Sequence, residues 1–294
     1  MFHDEMTASG VVPINPLHSK SYNRYLLFRK KIGIKVNPIS FINTRNLRLC
    51  TNCDCVILFD SVTLENARII TETVEKIVNR KCKLIFYYWN TFDEKKNYSN
   101  IISPRWESWT FDYSDALKYK FNFANTFYFS SLVEKKTKIK YDAFFIGFEK
   151  GRAKILHNIQ NSFRKCNLNP FIRIVNGNFL IRNIKKIDYN RVRHIIAKSR
   201  VIIDINKQGQ YGLTLRSLEA IFNNKKLIVN NCHIREYLFY DSSNILITED
   251  GILDSIELEH FLTKKTKPIP NDLIEYYSFK SWLERIVYGI KAKR

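Results

Sequence analysis

The chain has 294 residues, of which 45% are hydrophobic and 26% charged, so it can form one large or two smaller domains with ordinary cores. Nine glycines and seven prolines exclude a collagen-like or low-complexity chain. A net charge of +20 suits an anionic partner: a nucleic acid, an anionic membrane surface or a phosphorylated small molecule.

The beginning of the chain shows no targeting signal. The first ten residues carry His3, Asp4 and Glu5 and lack the apolar region of a signal peptide. No later run reaches the 18 or so apolar residues of a membrane span. We therefore expect a cytoplasmic protein.

The first half alternates apolar strands with helices. The pattern predicts helices over Tyr22–Lys31 and Leu64–Val78, buried strands over Cys55–Phe59 and Lys83–Tyr88, and a short strand near Ile34–Phe41. Continuous apolar strands separated by helices are typical of a parallel sheet that is covered on both faces.

Four cysteines fall near one another in this half. Cys50, Cys53 and Cys55 form a C-x-x-C-x-C cluster, and Cys82 is the one further candidate ligand there. A structural zinc site needs a full tetrahedral set, and no second C-x-x-C or nearby His pair completes one. We predict no metal and assign these thiols to a buried strand and its flanks.

The second half repeats the alternation and predicts a second α/β domain. A charged stretch at 134–140 marks the join, which gives an N-terminal domain over 1–133, a C-terminal domain over 134–274 and a terminal helix over 275–294. The predicted strands are Asp142–Ile146, Phe171–Val175, Arg200–Ile205, Lys226–Val229 and Asn244–Ile247, and the predicted helices are Arg152–Cys166, Tyr189–Lys198, Thr214–Phe222 and Glu275–Lys291.

Two loops at the carboxyl ends of these strands carry candidate ligand-binding residues. In the first, Gly147, Lys150 and Arg152 lead into a helix, where backbone N–H groups and two cations favour a phosphate. A tight strand-to-helix turn with solvated cations is the alternative.

The second loop is more informative. Gln210 precedes Gly212, Leu213 and Thr214 at the start of a helix that Thr214 can cap, and Arg216 and Glu219 share a face one turn later. A helix N-terminus for a diphosphate and a carboxylate for ribose hydroxyls suit a nucleotide. The alternative is a capped helix with an Arg–Glu pair.

With these loops, the second half resembles the donor domain of bacterial GT-B glycosyltransferases of lipopolysaccharide and capsule biosynthesis. The similarity covers about 106–247, and its main segments are Tyr141–Gly147 with Lys150–Arg152, Ser199–Asp204, Gln210–Ala220 and Lys225–Val229. It implies two Rossmann-like domains whose parallel sheets face each other across a cleft. It also implies sugar transfer from a nucleotide-sugar, with a UDP-sugar favoured and the base left open, to a lipid-linked, lipopolysaccharide or capsule glycan.

The resemblance also implies roles for individual residues. Glu219 becomes the ribose ligand, residues 212–214 contact the diphosphate, and Arg152 and Arg216 become its cations. No cofactor is implied, because the nucleotide-sugar is a substrate. No obligatory metal is implied either, since fixed cations and helix dipoles stabilise a leaving diphosphate.

An inverting enzyme also needs a base to deprotonate the acceptor hydroxyl. The first half offers Asp4, Glu5, His18, Asp60 and Asp93, from which we select Glu5 and Asp60. A solvated N-terminal loop is the alternative for Glu5, and a helix cap for Asp60. The aromatic segment Phe86–Asn90, with Trp106, Trp109 and Phe111, is interpreted either as a sugar-stacking surface or as core packing.

Two other classes of function stay open: a basic nucleic-acid-binding protein and a non-catalytic glycosyltransferase-like subunit. No RNP, KH, zinc-finger or helix-turn-helix pattern supports the first, so no nucleic-acid partner is expected. We expect peripheral contact with an anionic membrane surface. The terminal helix is one candidate for that contact, through Trp282 and the basic Lys280, Arg285, Lys291, Lys293 and Arg294. The interpretation we favour for this helix is that it packs back across the domains with its apolar face in the core.

Overall fold

The computed structural model of the chain describes residues 2–175 and 188–292. Lys293 and Arg294, named above for membrane contact, lie outside these residues. The described part is an α/β protein with two sheets, both entirely parallel, as the sequence predicts. None of its helices is long and apolar enough to cross a membrane.

The chain divides into two compact units. The N-terminal unit comprises 6–124 and 286–290, and the C-terminal unit comprises the described residues of 1–5, 125–285 and 291–294. The division after Ala124 precedes the predicted join. One reason is that the ring of Phe127 lies 4.3 Å from that of Trp282, which draws this segment into the C-terminal unit.

The N-terminal unit contains a four-stranded sheet in the order β1-β2-β3-β4. Helix α1 (Phe2–Ala8) begins in the C-terminal unit and ends in this one. The other elements are α2 (Lys20–Lys31), α3 (Thr44–Leu47), β1 (Cys55–Phe59), α4 (Leu64–Ile77), β2 (Lys83–Tyr88), β3 (Trp106–Thr110), α5 (Tyr113–Tyr119) and β4 (Asn122–Phe123).

The predicted strand near Ile34–Phe41 is wrong. Residues Pro38–Phe41 form a 3₁₀ helix instead. Proline fits the first position of such a turn, and the Asn37 side chain caps it by accepting a hydrogen bond from the Ile39 N–H at 3.1 Å.

The C-terminal unit holds a five-stranded sheet in the order β6-β5-β7-β8-β9. Its elements are β5 (Tyr141–Phe148), α6 (Ala153–Lys165), β6 (Pro170–Val175), α7 (Tyr189–Ala197), β7 (Ser199–Asp204), α8 (Leu215–Phe222), β8 (Lys226–Val229), β9 (Ile245–Ile247), α9 (Ser255–Thr263), α10 (Asn271–Tyr276) and α11 (Phe279–Tyr288). Helices α7 and α8 cover one face of the sheet, and α6 and α9 cover the other.

The strand order creates a topological switch point between β5 and β7. From β5 the chain moves outward to β6 on one side and then returns to β7 on the other. The connections that leave the carboxyl ends of β5 and β7 therefore diverge and open a crevice, which is where open α/β sheets bind ligands. Both loops selected from the sequence border this crevice.

The end of the chain differs from the single predicted helix over Glu275–Lys291. Helix α10 ends at Tyr276 and α11 begins at Phe279. Trp282 and Arg285 are 1% and 5% exposed. Core packing, the role we favour for this helix, fits these two buried side chains, and the alternative that they contact a membrane is wrong.

Candidate functional site

In the turn between β5 and α6, backbone N–H groups are hydrogen-bonded to a carboxylate of the same turn. Glu149 accepts hydrogen bonds from the N–H groups of Gly151 at 3.0 Å and Ala153 at 3.2 Å. These bonds hold the pKa of the Glu149 carboxyl below its ordinary value. The backbone donors predicted to bind a phosphate here are thus bonded to the chain itself, and Arg152 is left as the main cation of this loop.

Two arginines cross the switch point in opposite directions. Arg152, which follows β5, donates to the carbonyl of Ile205 at the end of β7. Arg216, which follows β7 on α8, donates from Nη2 to the Ile146 carbonyl of β5 at 2.9 Å. Each guanidinium is therefore anchored by the strand on the other side of the crevice.

Aromatic rings fix the planes of both guanidinium groups. Arg152 lies over Phe145 and Arg216 over Phe144, each with its Cζ 5.0 Å from the ring centroid. Since neighbouring residues of a strand face opposite sides of the sheet, the two arginines approach the end of β5 from opposite faces. The lack of a side chain at Gly147 makes room, because a Cβ there would lie 2.8 Å from Nη2 of Arg152.

Further cations surround this pair. Burial, together with the nearby charges of Arg152 and Lys207, lowers the pKa of Lys150. Burial also lowers the pKa of Arg152; the nearby Asp204 carboxyl opposes that shift, and the Arg216 charge adds to it. We call Lys150, Arg152, Lys207 and Arg216 the cation cluster. Like charges held this close repel one another, so an anion bound among them is stabilised.

The beginning of α8 is built around a buried carboxyl. Asp204, 4% exposed, accepts hydrogen bonds from Thr214 Oγ1 and Ser217 Oγ, both at 2.6 Å. Thr214 in turn caps the helix by accepting from the Arg216 N–H at 3.0 Å, which confirms the predicted cap. Burial raises the pKa of Asp204. These bonds hold α8 in register with the end of β7.

Glu219 lies beneath the cluster rather than at its surface. Its side chain is completely buried, and its two oxygens accept hydrogen bonds from the Tyr189 hydroxyl at 2.8 Å and from Arg216 Nη1. In this structure the carboxylate offers no exposed oxygen to a ribose. Its observed contacts are those of a group that holds Arg216 in place.

The remaining predicted donor-binding residues lie in the loop before α8. Leu213 is 1% exposed and belongs to the hydrophobic core, so only its backbone is available to a ligand. Gly212 is buried and Gln210 half-buried. The sequence reasoning missed Asn206, which donates from Nδ2 to the Gln210 carbonyl at 3.0 Å and so shapes this loop. The sequence could have indicated this residue, because it is an asparagine immediately after a predicted buried strand.

In the N-terminal unit, Asp60 stands at the carboxyl end of β1, as predicted. Its oxygens accept hydrogen bonds from the Trp89 N–H at 3.0 Å and the Asn90 N–H at 3.3 Å. Burial raises the pKa of this carboxyl, and those hydrogen bonds only partly oppose the shift. A half-buried carboxyl with a raised pKa at a strand end has the properties of a proton acceptor.

Glu5 has a structural contact instead. Its two oxygens accept hydrogen bonds from the N–H groups of Ser130 at 3.1 Å and Ser131 at 3.0 Å, at the start of the 3₁₀ helix Ser130–Leu132. Asp93 likewise caps the short helix Glu94–Lys96. Asp60 is also hydrogen-bonded within the chain, since Asn90 Nδ2 donates to it at 3.2 Å, but its burial raises its pKa.

The four cysteines of the N-terminal unit are free thiols near the start of β1 and β2. Burial raises the pKa of Cys50 to about 11 and that of Cys55 to about 12. Within 2–175 and 188–292, no group of three or more His, Cys, Asp or Glu side chains is arranged to hold a metal ion.

The aromatic segment after β2 divides into core and surface. Phe86, Tyr87 and Tyr88 are at most 1% exposed, and Trp106 and Trp109 are 4% exposed, so these rings pack inside the unit. Trp89 is 36% exposed and lies beside Asp60. It is the tryptophan that a sugar can reach.

Comparison with models of protein families finds no match for this chain, and comparison with curated proteins finds none either.

Proposed function

We propose that the chain is a metal-independent GT-B glycosyltransferase that uses a nucleotide-sugar and a lipid-linked, lipopolysaccharide or capsule glycan. The observation that carries the proposal is the pair of arginines crossing the β5–β7 switch point, with Lys150 and Lys207 beside them. The donor diphosphate occupies this cation cluster. The cation cluster by itself supports the binding of a nucleotide. The sequence resemblance to GT-B glycosyltransferases is the reason for proposing sugar transfer as the reaction.

The cluster supplies what the reaction needs. When the bond between the anomeric carbon and the diphosphate breaks, negative charge grows on the leaving oxygen. Cations that are already anchored stabilise that charge without having to reorganise. Arg152 and Arg216 are fixed by carbonyls and rings, so they are preorganised in this sense.

Asp60 is the base we propose for the acceptor hydroxyl if transfer inverts the anomeric centre. A raised pKa brings a carboxylate closer to the pH at which it must accept a proton. Trp89, exposed beside it, provides an apolar ring for the face of an acceptor sugar.

Nucleotide binding tests the proposal first. Thermal shift with UDP, GDP, ADP, CMP and dTDP identifies the base, since a ligand at one hundred times its Kd stabilises the folded state by about 2.7 kcal/mol. Calorimetry on Lys150→Gln and Lys207→Gln should then show affinity for the best nucleotide falling about ten-fold or more for each variant.

Neither lysine side chain forms a hydrogen bond within residues 2–175 and 188–292, whereas Arg216→Gln also disrupts a buried ion pair. Arg200→Gln is the control for loss of a cation away from the cluster, because Arg200 lies at the amino end of β7; it also breaks an ion pair with Asp142 at 3.2 Å, so its stability is measured alongside. Equal affinities in all variants would reject the cluster as the site. If the chain binds a nucleotide but transfers no sugar, the non-catalytic subunit is favoured. If it binds DNA with a steep dependence on salt, the nucleic-acid-binding protein is favoured.

A further inference from the structure

Helix α2 and the turn after it carry charges of one sign. Residues 20–35 contain six cations and no Asp or Glu, the cations being Lys20, Arg24, Arg29, Lys30, Lys31 and Lys35. A charge density this high and this uniform favours an anionic surface over an ordinary solvated face, where both signs are usually mixed.

The same helix exposes large apolar side chains. Tyr25, Phe28 and Ile32 are 54%, 59% and 55% exposed, and their spacing of three and four residues aligns them along one side. Leu26 is the buried residue of α2. We call Tyr25, Phe28 and Ile32 the apolar stripe.

This arrangement inverts the usual use of an amphipathic helix, which turns its apolar side toward the core. Here the stripe faces outward, and the exposed Arg24 and Lys31 follow the same surface. The Arg29 guanidinium lies 5.8 Å from the centroid of the Tyr25 ring, so a charge also borders the stripe at its aromatic end. Aromatic and aliphatic side chains bordered by cations match the boundary between lipid headgroups and acyl chains.

We propose that α2 is a membrane-docking surface for an anionic lipid bilayer, with the apolar stripe in the acyl boundary and the surrounding cations at the lipid phosphates. Charge complementarity selects the occupant, because six cations without an acid match an anionic leaflet. A nucleic acid also matches the charge, but it does not require the exposed aliphatic Ile32. The proposal is independent of sugar transfer, and it places the membrane contact on α2 rather than on the terminal helix.

Flotation with vesicles tests the docking surface. The full chain should float with vesicles that contain phosphatidylglycerol and stay unbound with pure phosphatidylcholine vesicles. Phe28→Ser combined with Ile32→Ser should weaken partitioning about a hundred-fold, because two apolar side chains no longer leave water. Arg24→Gln combined with Lys31→Gln should weaken it about thirty-fold, and added salt should reduce binding of the unaltered chain.

Matched controls come from the same unit. Val12→Ser with Leu117→Ser removes two exposed apolar side chains elsewhere, and Lys81→Gln with Lys95→Gln removes two exposed cations. Both control pairs should float like the unaltered chain. Nucleotide affinity should be unchanged in all α2 variants, which separates failure of this proposal from failure of the proposed enzyme.

A spectroscopic readout reports insertion directly. Phe28→Trp should shift its emission to shorter wavelength on anionic vesicles and be quenched by brominated lipids, whereas Leu117→Trp should show neither change. The proposal is overturned if neutral and anionic vesicles bind alike, if the α2 pairs float like the controls, or if a single-stranded oligonucleotide binds through α2 while vesicles do not.

Discussion

At position 147 the sheet has no room for a methyl group. An added Cβ would stand 2.8 Å from Arg152 Nη2 and 3.0 Å from Phe145 Cζ. The end of the arginine is flexible, so we expect Gly147→Ala to displace the guanidinium from the crevice and to cost only about 1–2 kcal/mol of stability. Nucleotide affinity, measured by calorimetry, should fall about ten-fold because a charged donor is lost.

A double-mutant cycle separates this mechanism from general damage. If Gly147→Ala acts through Arg152, it should have no further effect on affinity in an Arg152→Gln background. Additive losses in the cycle would mean that the methyl group disturbs the site by another route.

For Glu219 the two possible roles lead to opposite results. A ribose ligand would confer a preference for UDP over 2′-deoxy-UDP, and Glu219→Gln would remove that preference. A completely buried carboxylate that pairs with Arg216 instead contributes to stability, and breaking such a pair costs about 3–5 kcal/mol. We expect the second result: a lower midpoint of thermal unfolding and an unchanged ribose preference.

Tyr189→Phe provides the comparison for this test. It removes the other hydrogen bond to Glu219 and should cost only about 1 kcal/mol, because the donor is neutral. If Glu219→Gln is no more destabilising than Tyr189→Phe, the ion pair with Arg216 is not what stabilises the folded state.

Among the secondary-structure elements, the buried strands were easier to predict from the sequence than the segments that connect them. Strands β2 and β7 are buried on both faces and read as continuous apolar runs. Helix α9 went unpredicted because its buried Leu258, Phe261 and Leu262 are interrupted by exposed residues, including Ile256 at 78%. The outward-facing stripe of α2 was also missed, because periodicity identifies an apolar side but not whether anything covers it.

The positions of the candidate site residues were predictable in part, and their roles stay predictions. Asp60 lies directly after β1, and Arg152 lies in the turn after β5, as the sequence predicts. The sequence did not show that the Glu149 carboxylate is hydrogen-bonded at the N-terminus of α6, or that Glu219 is buried. Both depend on the directions that side chains take in the folded chain. Lys207 was not among the predicted residues, although its charge contributes to the lowered pKa of Lys150.

Helix α11 packs within the C-terminal unit through Trp282. Trp282 packs against Phe127 at 4.3 Å and Phe279 at 5.9 Å between ring centroids, and its side chain is 1% exposed. We expect Trp282→Ala to lower the free energy of unfolding by about 3–5 kcal/mol, as measured by urea denaturation. Tyr288→Ala, on the same helix but 75% exposed, should stay within about 0.5 kcal/mol. Equal effects would show that the helix is not held by this aromatic contact.

For the whole molecule, the net charge of +20 has at least two local concentrations with different structures. In the cation cluster of the C-terminal unit, Arg152 and Arg216 are anchored by carbonyls and rings, and the cluster suits one small anion. The α2 cations of the N-terminal unit are exposed, except for the half-buried Arg29, and suit an extended surface. Salt screens exposed charges far more than partly buried ones, so salt should weaken vesicle binding more than nucleotide binding.

If the chain transfers a sugar as proposed, the cation cluster makes a divalent metal ion unnecessary. Its four cations would offset the charge of the diphosphate, and the sequence contains no Asp-x-Asp. We therefore expect sugar transfer, followed as release of nucleoside diphosphate, to continue at an unchanged rate in excess EDTA. Lys150→Gln combined with Lys207→Gln should slow that release about ten-fold or more with or without EDTA, because the lost stabilisation belongs to the protein. Complete loss of transfer in EDTA, restored by Mg²⁺ or Mn²⁺, would show that a metal ion and not the cation cluster carries the leaving group.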